Sequence, residues 1–343
     1  MDIQNKILIT GATGFIGSHL ANSLIGKGNG IKCLARKSSP KVAIDYLSNL
    51  GAELVYGDLL DKASLKKAVE GVDTVFHLGG GGRVGMSKEI CFKINVEGTR
   101  NILDICLEQG AINKFVHVST CAVMGDIKGD KPADETYPYN PNNIVYSKVK
   151  TETEKIVLSY KNRLPLIVVR FPGVYGPPLI KEDANRIDGV TPALMILSAV
   201  KNRQWMYVGS GKNLVHLVYI NDAVRGFILA AEKGKTGEKY IIGDKKSITM
   251  EEMVYTIACV LNMDAPNRHV PVPIAKFFSM MFELKSNLFG GTPRMSREMV
   301  TGFITNMNID TSKAIHELGY EPKVGLEEGL RTTVKWYKEN GYL

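Results

Sequence analysis

No run in this chain approaches the roughly 20 apolar residues needed to span a bilayer, and Met1–Lys6 has no apolar signal-peptide core. A cytoplasmic protein is the expectation. Cysteine is sparse: Cys33, Cys91, Cys106, Cys121 and Cys259 are widely spaced and form no CxxC. That pattern argues against a disulfide framework or a zinc site and suits a reducing compartment. No GxxxxGK[ST] occurs, which excludes an NTPase phosphate loop. Low-complexity segments and internal repeats are missing too. With 44% hydrophobic and 23% charged residues the chain is an ordinary globular one. Charge of one sign is not concentrated: 43 Lys+Arg against 35 Asp+Glu leave +8 over 343 residues. This does not make a nucleic-acid binder, but it fits an anionic small-molecule ligand. At about 150 residues per domain, the length allows two domains or one with a lobe.

What is present is a regular alternation. Lys6–Thr10, Ile31–Ala35, Glu53–Tyr56, Thr74–Leu78, Lys114–Ser119 and Leu166–Arg170 read as short buried strands. Helical patterns fall between them: from Ile16 to Ile25, from Asp61 to Gly71, from Asn95 to Glu108 and from Tyr146 to Tyr160. Strict alternation implies βαβ units and a parallel sheet covered on both faces. After Pro172 the rhythm breaks. Gly189–Gln204 looks helical, Val215–Ile220 and Lys239–Ile242 look like strands returning to the sheet, and Thr249-x-x-Glu252 has capping-box spacing. Two short helices close the chain, one ending at Leu318–Gly319 and one from about Leu326 to Asn340. The expected fold is α/β, a doubly wound parallel sheet of the Rossmann type with a smaller C-terminal substrate lobe. The dinucleotide domain spans 1–175 with returning strands within 215–243, and the lobe spans 176–214 and 244–343.

Gly11-Ala-Thr13-Gly14-Phe15-Ile16-Gly17 follows the first strand directly. In a dinucleotide loop Gly11 allows the tight turn, Gly14 lets a pyrophosphate reach the backbone, and Gly17 lets the helix pack on the strand. The helix start then offers N–H groups and a positive dipole end to phosphate. The spacing alone is a weak signal; its place between strand and helix carries the reading. At the end of the second strand, where an acid would suit an adenine ribose hydroxyl, stand Arg36 and Lys37. Two cations suit a 2′-phosphate, hence NADP with NAD as the alternative, although a solvated basic loop has the same composition. Asp58 is placed either to meet the adenine amino group or to close a strand-end turn. Tyr146 and Lys150 lie four apart on one helix face. A lysine ammonium beside a phenol is expected to lower the phenol pKa and make Tyr146 a general acid/base. The plainer alternative is an exposed tyrosine with a solvated lysine.

Together these motifs resemble the extended short-chain dehydrogenase/reductases. The resemblance rests on Gly11–Gly17, Asp58-Leu59, Asn95-x-x-Gly98-Thr99, Ser119-Thr120-Cys-Ala-Val-Met-Gly125, Tyr146-x-x-x-Lys150, Arg170-x-Pro172-Gly-Val174-Tyr-Gly-Pro177 and Leu318-Gly-Tyr-x-Pro322. It covers nearly the whole chain. It implies that Thr120 hydrogen-bonds the substrate oxygen, that Tyr146 is the acid/base, and that Lys150 binds the nicotinamide ribose. It also implies Pro172–Val174 near the nicotinamide amide, cofactor contacts at Thr13, Phe15, Ile16, Leu59, Leu78 and Gly79, and a homodimer. Asn95 would hold active-site backbone or simply start a helix. The run Leu78-Gly79-Gly80-Gly81-Gly82 suggests a flexible backbone beside the cofactor.

Departures from the family pattern narrow the activity. The dehydratases of the family place Asp-Glu after the threonine, whereas this chain has Cys121-Ala122. Its nucleotide-sugar epimerases carry an Arg-Asp pair where this chain has Val215 and His216, and their Arg-x-Gly-Asp is not recognisable around Arg294. The resemblance therefore implies an NADP-dependent alcohol/carbonyl oxidoreductase of the 3β-hydroxysteroid dehydrogenase and dihydroflavonol reductase kind, acting on a small apolar substrate. A nucleotide-sugar 4-epimerase is the close alternative, and a non-catalytic NADP-binding regulator the distant one. His216 reads as structural, Trp205 and Trp336 as packing. Pro273–Phe282, rich in Phe and Met, reads as a core helix of the lobe, with an apolar lid or a peripheral membrane contact as the alternative.

Overall fold

Every residue of β1 (Lys6–Thr10) after the first is buried, and alternate side chains enter different cores. Ile7 and Ile9 pack with Leu20 and Leu24, while Leu8 packs with Leu65 and Ile102. A strand buried on both faces lies inside a sheet with helices on both sides. The computed structural model describes residues 6–25, 30–80, 87–181, 191–291, 293 and 295–343.

The main sheet contains β1, β2 (Gly30–Ala35), β3 (Glu53–Tyr56), β4 (Thr74–His77), β5 (Lys114–Thr120), β6 (Leu166–Phe171) and the strand Lys239–Ile241. Its order is Lys239–Ile241, β6, β5, β4, β1, β2, β3, and every pair is parallel. The connecting helices are α1 (Phe15–Ile25), α2 (Lys41–Asn49), α3 (Lys62–Val69), α4 (Lys88–Phe92), α5 (Gly98–Gln109) and α6 (Val145–Ser159). α1 and the later helix Ile220–Lys233 contribute Leu20, Leu24 and Phe227 to one core. α3, α5 and α6 contribute Leu65, Ile102 and Val157 to the other. The order reverses between β1 and β4, so a crevice opens at their carboxyl ends, where open α/β sheets take their ligands.

Four local features differ from the sequence pattern. A π-helical turn, Lys93–Glu97, precedes α5 where one helix from Asn95 was expected. α2 was not legible, because only Ala43 and Leu47 of its nine residues are buried. Of the strands expected within 215–243, only Lys239–Ile241 joins the main sheet. Residues 214–219 are split by His216: Leu214–Val215 pairs antiparallel with Ile248–Thr249, and Leu217–Tyr219 pairs in parallel with Gly173–Tyr175.

His216 explains the break. Its Nδ1 lies 2.8 Å from the Ser247 hydroxyl and its Nε2 3.1 Å from the Asp244 carbonyl, inside the protein. Burial lowers its pKa to about 4, so the ring is neutral and structural. Trp205 packs edge-on to Tyr207 and Phe303, and Trp336 stacks on Tyr342. In the lobe, Thr249 and Glu252 form both bonds of a capping box, and Gly319 ends Ser312–Leu318 at φ 65°. The helix Val272–Phe289 is not a core helix: Phe277 and Phe278 are 56% and 51% exposed.

Candidate active site

The glycine loop is fixed by steric need. Gly11 sits at φ +73°, and a Cβ there would lie 2.7 Å from the Leu78 carbonyl. A Cβ on Gly17 would come within 2.2 Å of the Gly11 oxygen. Both positions require glycine for the protein's own packing. Gly14 is different: its added Cβ would meet only the Gly11 oxygen, at 3.3 Å. The chain's own packing thus constrains Gly14 less than Gly11 or Gly17. The Gly14 N–H donates to Gly11 O at 3.0 Å, and α1 starts one residue later with Phe15 buried and Ile16 half-buried. First-turn N–H groups of a helix lack intrahelical acceptors, so this end suits phosphate. Thr13 lies between the two glycines on the same turn.

The ends of β1 and β4 are tied together. The Thr10 hydroxyl accepts from the Gly79 N–H at 2.9 Å and lies 2.8 Å from His77 Nδ1. His77 Nε2 is 2.9 Å from the Thr99 hydroxyl. Burial, with a smaller contribution from the Lys150 charge, pulls the His77 pKa down to about 3. Gly79 and Gly80, in the run expected to be a flexible backbone, have neighbours that leave no room for a side chain. A Cβ on Gly79 would lie 2.9 Å from the Thr10 hydroxyl, and one on Gly80 would lie 2.6 Å from Asn95 Oδ1. Neither glycine accepts a side chain without a shift of its neighbour, although Gly80 itself is exposed, and Gly81 and Gly82 lie outside the described residues. Asn95 is buried in the π-helical turn and donates to Cys91 O at 2.7 Å.

Leu59 fills the space left by Gly79 and Gly98, and its carbonyl accepts from Asn101 Nδ2 at 2.9 Å. Asp58 forms a turn: Oδ1 accepts from the Leu60 N–H at 2.9 Å. Arg36 and Lys37 are exposed at the end of β2. The Arg36 N–H donates to the Ser39 hydroxyl, but neither cationic head has a hydrogen-bond or ion-pair partner among the described residues.

Thr120 is the last residue of β5. Its hydroxyl accepts from the Ala122 N–H at 3.2 Å and caps the short turn Cys121–Met124, whose first residues, Cys121 and Ala122, are not acids. Tyr146 stands in the first turn of α6, 39% exposed. Lys150 lies one turn further, 7% exposed, with Nζ donating to Val118 O at 3.0 Å. Burial drives the Lys150 pKa down to about 8, with the Glu154 carboxylate opposing. The expected lowering of the Tyr146 pKa is not what the site shows. Loss of water around its hydroxyl raises it, although the residue as a whole is 39% exposed, and the Thr120 side chain is the opposing influence. The lysine ammonium is engaged by the β5 backbone.

Beneath this pair lies a network that sequence reasoning missed. Glu154 and Arg170 are fully buried and joined by Arg170 Nη2–Glu154 Oε1 at 2.7 Å. Tyr139 donates to Glu154 Oε1 at 2.9 Å, and the Ser119 hydroxyl donates to Oε2. Two signals were available: Glu154 is one helical turn beyond Lys150, and Arg170 opens the Arg170-x-Pro172 motif. Pro172 links β6 to the short strand Gly173–Tyr175, which carries Val174, and both residues are half-buried. The positions expected to carry a diphosphate-binding pair hold half-buried Val215 and the engaged His216; Arg294 lies outside the described residues.

Residues 7–243 match the NAD dependent epimerase/dehydratase family. A putative dihydroflavonol 4-reductase of Synechocystis sp. is 30% identical over 345 residues, covering 98% of this chain and 95% of that protein. The crystal structure of UDP-glucose 4-epimerase from Thermotoga maritima with UDP-glucose is 25% identical, with a TM-score of 0.77 over 97% of this chain and 99% of that one. A dTDP-glucose 4,6-dehydratase of Streptomyces venezuelae, solved with NAD, is also 25% identical, with a TM-score of 0.73 over 98% and 97% of the two chains. With its family match spanning the parallel sheet, this chain belongs to the NAD dependent epimerase/dehydratase family and is an enzyme of the extended short-chain dehydrogenase/reductase type.

Proposed function

We propose that the protein is an NADP-dependent oxidoreductase interconverting an alcohol and a carbonyl on a small, largely apolar substrate. The observation that carries this reading is the placement of Thr120 at the end of β5 and of Tyr146 in the first turn of α6, with Lys150 buried one turn further and its Nζ donating to Val118 O at 3.0 Å. A partly exposed phenol beside a hydroxyl can give or take a proton at a substrate oxygen. Thr120 holds that oxygen. Lys150, fixed by Val118 O, would hold the nicotinamide ribose. NADP, when bound, supplies or accepts the hydride.

Gly11, Gly14 and Gly17 with the first turn of α1 would receive its pyrophosphate; Phe15 and Ile16 belong to that turn and Thr13 to the loop before it. Arg36 and Lys37 would pair with the 2′-phosphate, and Asp58 would meet the adenine. Leu59, Leu78 and Gly79 would wall the crevice, with Pro172 and Val174 beside the nicotinamide. The unpartnered cations at the end of β2 support NADP over NAD, since a carboxylate there would favour an unsubstituted ribose. The engaged His216 and the apolar Val215 support a substrate without a diphosphate.

The likeness to UDP-glucose 4-epimerase favours a second reading, a nucleotide-sugar 4-epimerase, which would use the same residues. Two measurements separate them. Titration with UDP, dTDP and GDP should show no binding in the low micromolar range, and a panel of apolar ketones should give NADPH-dependent turnover. Low-micromolar affinity for any of the three diphosphates would install the epimerase reading. NADPH binding with no turnover of either substrate class would point to the regulator.

A further inference from the structure

We propose that the exposed face of the helix Val272–Phe289 docks on an anionic lipid surface, lying in the plane of the membrane. The helix has 18 residues, about 27 Å of length at 1.5 Å per residue. It packs against the protein through a narrow stripe: Ala275 and Ser279 are buried, with Val208 and Val300 forming the small core beneath. Around the rest of its circumference, Phe277, Phe278, Met280, Met281, Leu284 and Leu288 are each at least 46% exposed. Scattered apolar residues are normal on a surface, but six on one helix form a contiguous patch of the kind that marks an interaction site.

Charge selects the occupant. The exposed residues of this helix include two cations, Lys276 and Lys285, and no carboxylate. Its one acid, Glu283, is turned toward the protein, where Oε2 accepts from Arg297 Nε at 2.7 Å and Oε1 from the Arg297 N–H at 2.8 Å. Arg268 and His269, just before the helix, are exposed as well. A second copy of the chain on this face would bring like charges together, and a purely apolar partner would strip water from both ammonium groups. An anionic bilayer surface satisfies both features. Phe, Met and Leu enter the boundary of the acyl chains, while the lysine stems lie along them and reach headgroup phosphates. Among the described residues no helix is long and apolar enough to cross a membrane, so the helix lies on the surface. The proposal is independent of the substrate assigned above.

Flotation of the full chain with vesicles tests it. The parent should float with an equal mixture of phosphatidylcholine and phosphatidylglycerol, and at least about tenfold less with phosphatidylcholine alone. The double variant Phe277→Asp/Leu284→Asp should weaken binding by more than about tenfold. Lys276→Gln and Lys285→Gln should each weaken it about fivefold. All four side chains are exposed, so the thermal midpoint should stay unchanged, and light scattering should give one molecular mass for parent and variants. A parent that fails to float, equal binding to neutral vesicles, or undiminished binding of the double variant would overturn the proposal. A dimer lost in Phe277→Asp would overturn it too, by making the face a contact between copies.

Discussion

The carboxyl end of the sheet and the helix Val272–Phe289 are both rich in residues that sequence alone flags, yet they are built in opposite ways. At the sheet end four flagged residues are fixed by a neighbour: Gly11 by Leu78, Gly17 by Gly11, Lys150 by Val118, Thr120 by Ala122. On the helix the flagged Phe and Met side chains face outward, and only a stripe near Ala275 and Ser279 is held. The difference teaches that steric and hydrogen-bond demands specify the crevice, whereas apolar composition alone does not say whether a helix is inside or outside.

The contrast is sharpest where removal of one group should matter most. Glu154→Ala would strand the Arg170 guanidinium in the interior, and breaking such a buried pair costs about 3–5 kcal/mol. Urea unfolding should show that loss; a change below about 1 kcal/mol would mean that water or a rearranged Tyr139 replaces the carboxylate. Gly17→Ala comes next, with overpacking against the Gly11 carbonyl expected to cost about 1–3 kcal/mol and to weaken dinucleotide binding. A variant of parental stability and affinity would show that the loop can shift.

Acid sensitivity belongs to the same end of the sheet. His77 has a folded pKa of about 3 against an ordinary value of 6.5. Between those values the unfolded chain takes up a proton that the folded chain refuses. The stability contribution is therefore complete above pH 6.5 and is lost progressively as pH falls toward 3. His77→Asn should flatten the dependence of the urea midpoint on pH across that window, and an unchanged slope would remove His77 from the account. At the small end, Leu284→Ser on the exposed helix should change stability by no more than about 0.5 kcal/mol. A larger loss would mean that this face is covered.

Much of the fold was legible for a physical reason. Residues 6–10 and 166–171 are short apolar runs, and the apolar content of strands covered on both sides marks them without any partner being known. α2 escaped because a helix with two buried residues has no strong period. The break at His216 depends on Ser247 and Asp244, about 30 residues away, and no local pattern announces it. In the site, the glycine loop and the Tyr146–Lys150 spacing were readable because both are local. The Glu154–Arg170–Tyr139 network joins a helix, a strand and a loop, so it became visible only in three dimensions. The direction of the Tyr146 pKa followed from burial, which spacing does not contain.

The account turns on the Tyr146 hydroxyl, and Tyr146→Phe tests it with one atom removed. Turnover of the true carbonyl substrate should fall by about 10²–10⁴-fold, the usual worth of a general acid/base. NADPH affinity, measured on the same preparation, should stay within about threefold, since the phenol adds little to the binding surface. Turnover within threefold of the parent would contradict the assignment and return Tyr146 to an exposed residue at a helix start.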